Sequence, residues 1–167
     1  MIWLPESTWG GEYDAFLRLR FASPALMLVT LPPATPQPVA DAVKAAAAAL
    51  WLDPGAAANR LRLAVEELLT AQRVPRFSKS STKRIRMSTH QRIATFRNKH
   101  ADAADALEAV KWIGNEGSHA GELGVKDVLE GARILGFALR LIYDDEDQQI
   151  ARRIRKVNKS RGLPPRR

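Results

Sequence analysis

A chain of 167 residues, 46% hydrophobic and 26% charged, has the size and composition of one folded domain, which excludes wholesale disorder and a fibrous repeat. It has no cysteine and only three histidines, so disulfides, thiolate nucleophiles and zinc-finger sites are excluded and neither a metal nor a cofactor is expected. Its longest soft run, Ala45 to Leu52, is far shorter than a membrane span, and acids at Glu6 and Glu12 interrupt any signal-peptide pattern, so the expectation is a cytoplasmic protein with no membrane partner.

The net charge of +8 is unevenly spread. Residues 73–100 hold nine basic and no acidic side chains, and residues 151–167 hold eight and none. Together they carry 17 of the 26 bases, a block pattern suited to a polyanion, so nucleic acid leads the partner classes. Each run taken alone also reads as a solvated loop or tail.

The first 35 residues read as an irregular arm in which Ala25 to Leu31 is a short apolar run with the length of a strand. Pro32, Pro33, Pro36 and Pro38 then impose an extended connector. Val39, Val43, Ala46, Ala47 and Leu50 recur at helical spacing and predict a first helix over 38–52. Asp53-Pro54 is a start signal, since the carboxylate caps free amides and proline tolerates the first turn. The second helix runs to about Gln72, with Ala57, Leu61, Ala64, Val65, Leu68 and Leu69 as its core stripe and Arg62 and Glu66 one turn apart on another face.

From Arg73 to Met87 the chain reads as a basic loop or hairpin. Ser88 and Gln91 then form a capping box for a short basic helix. A fourth helix is expected over 102–119, on Ala103, Ala106, Val110, Ile113 and Gly117, and a fifth from about Val125 to Tyr143, so apolar in its second half that it needs cover on more than one side. The acids Asp144 to Asp147 precede a basic segment that starts helical and then frays. These signals agree on an all-α, up-and-down helical bundle over 36–145, with an N-terminal arm over 1–35 and a basic C-terminal helix and tail over 146–167.

On the fourth helix Lys111, Asn115 and His119 form one polar stripe away from the core, and Trp112 also points away from it. A large aromatic there, with Gly114 and Gly117 in the same helix, reads as an interface where a second backbone approaches, a homodimer being the commonest kind. A histidine in a last helical turn is also favoured by the macrodipole alone. His90, in the capping turn, and His100, at a helix end, read as structural.

The stretch Lys111 to His119, with Asn59 to Glu66 and Trp51 to Pro54 before it, resembles the bacterial domain-of-unknown-function family 4145, which is grouped with the HEPN superfamily of helical nucleotide-binding and ribonuclease domains. The similarity runs from about Pro24 to Tyr143, and its most specific part is Gly114-Asn115 followed by His119. The resemblance implies an HEPN-like dimer in which two signature helices meet. In the active ribonucleases of that superfamily an Arg-polar-x-x-x-His motif cuts RNA without metal. Here His119 matches the histidine and Asn115 the polar position, but Gly114 stands where those enzymes carry arginine, and Lys111 is the nearest cation on the stripe. Lysine lacks the planar fork of a guanidinium.

Two functions follow. The first is an RNA-binding dimer, RNA in preference to DNA, with a regulatory role in bacterial defence or toxin-type systems. Arg73, Arg76, Lys79, Lys83, Arg84, Arg86, Arg92, Arg152, Arg153, Arg155 and Lys156 would hold the phosphate backbone, and Trp112, Gly114 and Gly117 would form the dimer interface. A protein partner is the variant of this reading. The second is a metal-independent endoribonuclease in which His119 of each subunit accepts or donates a proton, Lys111 steadies phosphoryl charge and Asn115 orients the substrate.

Overall fold

The computed structural model describes residues 2–3, 17–18, 22–79, 83–116, 123–144, 146–160 and 162. Its elements are β1 (Ile2–Trp3), β2 (Leu17–Arg18), α1 (Gln37–Ala49), α2 (Pro54–Ala71), β3 (Phe77–Lys79), β4 (Arg84–Arg86), α3 (Thr89–Arg97), α4 (Ala101–Glu116), α5 (Val125–Tyr143) and α6 (Glu146–Ser160). The strands form two antiparallel pairs, with Ile2 opposite Arg18 and Phe77 opposite Arg86. The protein is thus an all-α helical bundle with two small ribbons attached.

Helix α2 is the hub. It packs against α1 on one side and against α4 and α5 on another, while α3 lies chiefly on α4. Its expected stripe is the core: Ala57, Leu61, Ala64, Val65, Leu68 and Leu69 are all buried, together with Val39, Val43, Ala46 and Leu50 of α1, Leu107 and Val110 of α4, and Leu135 and Leu139 of α5. Asp53 caps α2 as its sequence suggests, accepting from the Ala56 amide at 2.8 Å. The Ser88 box is also formed: Ser88 Oγ accepts from the Gln91 amide at 3.2 Å, and Gln91 Oε1 accepts from the Ser88 amide at 2.9 Å.

The run from Ala25 to Leu31 is not a strand. It follows an irregular path in which Leu28, Val29 and Leu31 pack on the core while Leu26 and Met27 stay exposed. Prolines lie on either side and no strand pairs with it among the described residues, which leaves side-chain burial, rather than a ladder, to hold it. This segment supplies the second cover for α5. Val29 presses on Gly136, where a Cβ would collide with its methyl group. Phe137 and Leu141 remain exposed on the other side of α5.

Helix α2 ends without glycine. The Val74 amide donates to Leu69 O and the Arg73 amide to Thr70 O, both at 2.9 Å, which is a Schellman closure with Val74 buried over the last turn. Arg73 therefore holds a left-handed φ of 58° that penalises a side chain. Arg73→Gly should relieve this strain, offset in part by the freer unfolded chain, for a net gain of about 0.5–1 kcal/mol. A thermal melt checks it: a midpoint at or below wild type would mean that the left-handed turn is not occupied.

Candidate nucleic-acid interface

The site grows from the contact of α2 with α4. A Cβ at Gly114 would lie 2.7 Å from Arg62 Cβ and 3.1 Å from Ala58 O, so the two helices approach as closely as a hydrogen at position 114 allows. The expectation that Gly114 notches a dimer interface is corrected: α2 of the same chain fills the notch. Arg62 lies across this crossing and pairs with Glu66, Nη1 to Oε1 at 3.0 Å. The same Glu66 oxygen accepts from Thr89 Oγ1 at 2.9 Å, which ties the first turn of α3 to α2. From the other end of α3, Arg97 bonds both Asp105 and Glu108 of α4. The hydrogen bond to Asp105 is the first cause that raises the Arg97 pKa above its ordinary value.

These ties place α3 over the polar stripe of α4, which is why Lys111 is only 5% exposed although the helical wheel turns it away from the core. Its Nζ stands 3.5 Å from the centre of the Trp112 ring, 3.4 Å from His90 Nδ1 and 3.7 Å from Glu108 Oε1. Glu108 Oε1 is also 3.1 Å from His90 Nδ1. With Nδ1 protonated, His90 donates to Glu108 and keeps Nε2 for another partner. Arg62, Thr89, His90, Lys111, Trp112 and Asn115 line one groove of about 370 Å³. Two of the expected catalytic residues, Lys111 and Asn115, thus come together, and Trp112 is 56% exposed beside them. His119 and Gly117 lie outside the described residues.

In the sequence His90 reads as structural, in the capping turn, and Arg62 stands out only for its spacing to Glu66; neither Glu108 nor Thr89 is given a role at the site. His90 lies 21 residues before Lys111, a separation that no helical periodicity bridges. His100 does pack structurally, its ring centre 5.1 Å from that of Phe96.

A second, larger cleft of about 610 Å³ shares Ser88 and Thr89 with the first and is walled by α2, the β3–β4 hairpin and α3. Among the bases expected to bind phosphate, Arg92 belongs to the frame of the fold. It is 5% exposed and donates to Glu66 O at 3.3 Å, Thr70 Oγ1 at 3.0 Å and Val74 O at 3.4 Å. Burial, and after it the neighbouring Arg76 guanidinium, lowers its pKa. Arg73, Arg76, Lys83, Arg84 and Arg86 are exposed, Arg84 lying 4.1 Å above the Phe77 ring. On α6, Arg153, Arg155 and Lys156 are exposed, while the side chains of Lys79 and Arg152 lie outside what the structure describes.

Among the described residues no helix is long and apolar enough to cross a membrane, and no group of three or more His, Asp or Glu side chains could hold a metal ion. Fold and site together define an all-α bundle with two adjoining polar clefts on its α2–α3 face. The chain belongs to the family described as a domain of unknown function, DUF4145, whose model matches residues 44–160 and so reaches from within α1 to the last residue of α6. Comparison with curated proteins and with solved structures gives no match.

Proposed function

We propose that this chain is an RNA-binding module that acts as a homodimer, with RNA preferred to DNA. The observation that carries the reading is the exposure of the acid-free basic segments. Lys83, Arg84 and Arg86 stand on the hairpin, and Arg153, Arg155, Lys156 and Lys159 on α6, all reaching solvent and none with a carboxylate within ion-pair distance among the described residues. Such charges attract phosphates without reading sequence. The preference for RNA is supported by the half-exposed Trp112 at the mouth of a groove, since an unpaired base stacks on an aromatic face and single-stranded regions are the usual RNA target. Trp112 also supports the dimer, because a second copy seated on part of that face would bury it.

Binding of a short single-stranded RNA should weaken steeply with salt. Changing Lys83, Arg84 and Arg86 to glutamine should lower the slope of log K against log salt by about 2, at roughly 0.7 for each phosphate that is no longer neutralised. No binding at low salt, or binding indifferent to salt, would sink the reading. Sedimentation at micromolar concentration should give a dimer, and a monomeric value would contradict that part.

One observation favours the endoribonuclease reading as a second choice: Lys111 and Asn115 share a groove with His90, an imidazole whose Nδ1 is held by Glu108. In that reading His119 of the two subunits exchange protons with the ribose hydroxyl and the leaving oxygen. RNA cleavage in chelator, abolished by His119→Ala, supports it; retention without cleavage supports binding alone.

A further inference from the structure

The larger cleft has a charge imbalance that its own residues do not resolve. Arg76, Arg86 and Arg92 all line it. Arg92 donates only to neutral oxygens, and Arg76 donates through Nε and Nη2 to the Thr70 hydroxyl at 3.3 and 3.1 Å. No ion pair neutralises any of the three among the described residues. Of the two carboxylates present, Glu66 is paired with Arg62 from outside the cleft, and with that pair counted as neutral Glu67 is left against three guanidinium groups. The surplus is two positive charges. Arg92 Nε is fully buried and has no hydrogen-bond partner among the described residues, so one donor of this positive wall is held without the bond that would offset its burial. Arg76 and Arg86 act on Arg92 as like charges, with Glu66 and Glu67 as opposite ones, and an anion between the arginines would relieve their repulsion.

A cavity of about 610 Å³ suits a nucleotide-sized ligand. We propose that this cleft binds a phosphate monoester dianion, the end group of an RNA strand or of a free nucleotide, with the exposed guanidinium groups of Arg86 and Arg76 as its forks. A monoester carries close to the two negative charges required near neutral pH, whereas an internal phosphodiester carries one. Glu67 then accepts an N–H or O–H of the attached nucleoside. The RNA form of this site rests on the function proposed above; the nucleotide form stands without it.

The test compares one RNA twelve-mer with a 5′-phosphate, a 3′-phosphate or hydroxyl ends by fluorescence anisotropy, and adenosine 5′-monophosphate with adenosine by calorimetry. A strand-end ligand predicts that one phosphorylated strand binds roughly tenfold or more tightly than the hydroxyl strand. Arg86→Gln should erase that ratio, whereas Lys83→Gln, on the same hairpin but outside the cleft, should weaken all three strands and leave the ratio intact. Arg76→Gln is the second variant should Arg86→Gln melt early. A free-nucleotide ligand predicts Arg86-dependent heat with the monophosphate and none with adenosine, the three strands being equal. If the monophosphate binds in this way while no strand does, the site stands and the RNA reading falls. Equal strands together with a silent monophosphate overturn the proposal.

Discussion

An arginine placed at position 114 is expected to break the bundle and not to complete a catalytic motif. If the Gly114-Asn115 and His119 stretch is a ribonuclease motif without its arginine, as the endoribonuclease reading supposes, Gly114→Arg is the obvious attempt to restore activity. In this chain the space is taken. A Cβ would meet Arg62 Cβ at 2.7 Å and Ala58 O at 3.1 Å, and neither atom is the end of a flexible side chain. Gly114→Ala should therefore cost about 1–3 kcal/mol through forced separation of α2 and α4, and Gly114→Arg about 3 kcal/mol or more, a large share of the stability of a domain of this size. Urea unfolding reads both. The double variant Arg62→Gly with Gly114→Ala should recover part of the loss, because it removes the nearer of the two collisions. A Gly114→Arg protein with the wild-type midpoint would show that the two helices do not cross this closely in solution.

Arg92→Ala should also unfold the protein early, at about 2–4 kcal/mol, because it opens a cavity and leaves the Val74 carbonyl, at the closure of α2, without its guanidinium donor. Arg92→Met keeps most of the volume and removes a buried charge, so a smaller loss is expected. Below their lowered midpoints both proteins should retain the salt slope of wild-type RNA binding, since Arg92 offers almost no surface to a phosphate. Arg86→Gln should do the reverse, altering binding while leaving the melting temperature in place. If Arg92→Met changes the salt slope by as much as an exposed hairpin base does, the assignment of Arg92 to the frame is wrong.

The division between these two arginines is a fair measure of what the chain discloses in one dimension. Helical periodicity finds the inner stripe of α2 from Ala57 to Leu69, and capping chemistry finds Asp53 and the Ser88–Gln91 box, because each depends on neighbours within one or two turns. The α5 span from Val125 to Tyr143 is legible for the same reason. Arg92 is not, because its burial depends on the Val74 closure 18 residues earlier, and a basic run looks alike whether its members face water or a carbonyl. Lys111 misleads the helical wheel in the same way: its stripe does leave the core, but α3 covers it, held there by Thr89 on Glu66 and by Arg97 on Asp105 and Glu108. Gly114 is recognisable as a point of close approach but points to the wrong partner, since a missing side chain does not say which backbone comes near. The apolar run at residues 25–31 has the composition of a strand, but among the described residues no second strand pairs with it.

Glu66 gives the two clefts a shared keystone. Its side chain holds Arg62 and Thr89 at the smaller one, while its main-chain oxygen takes Thr70 and Arg92 beside the larger. Neutralising that single carboxylate as glutamine would therefore loosen Arg62 and Thr89 in one cleft and raise the surplus positive potential next door in the same stroke. Any measurement on that variant reports a coupled pair, and each half is separated only by the single changes at Arg62 and Arg86.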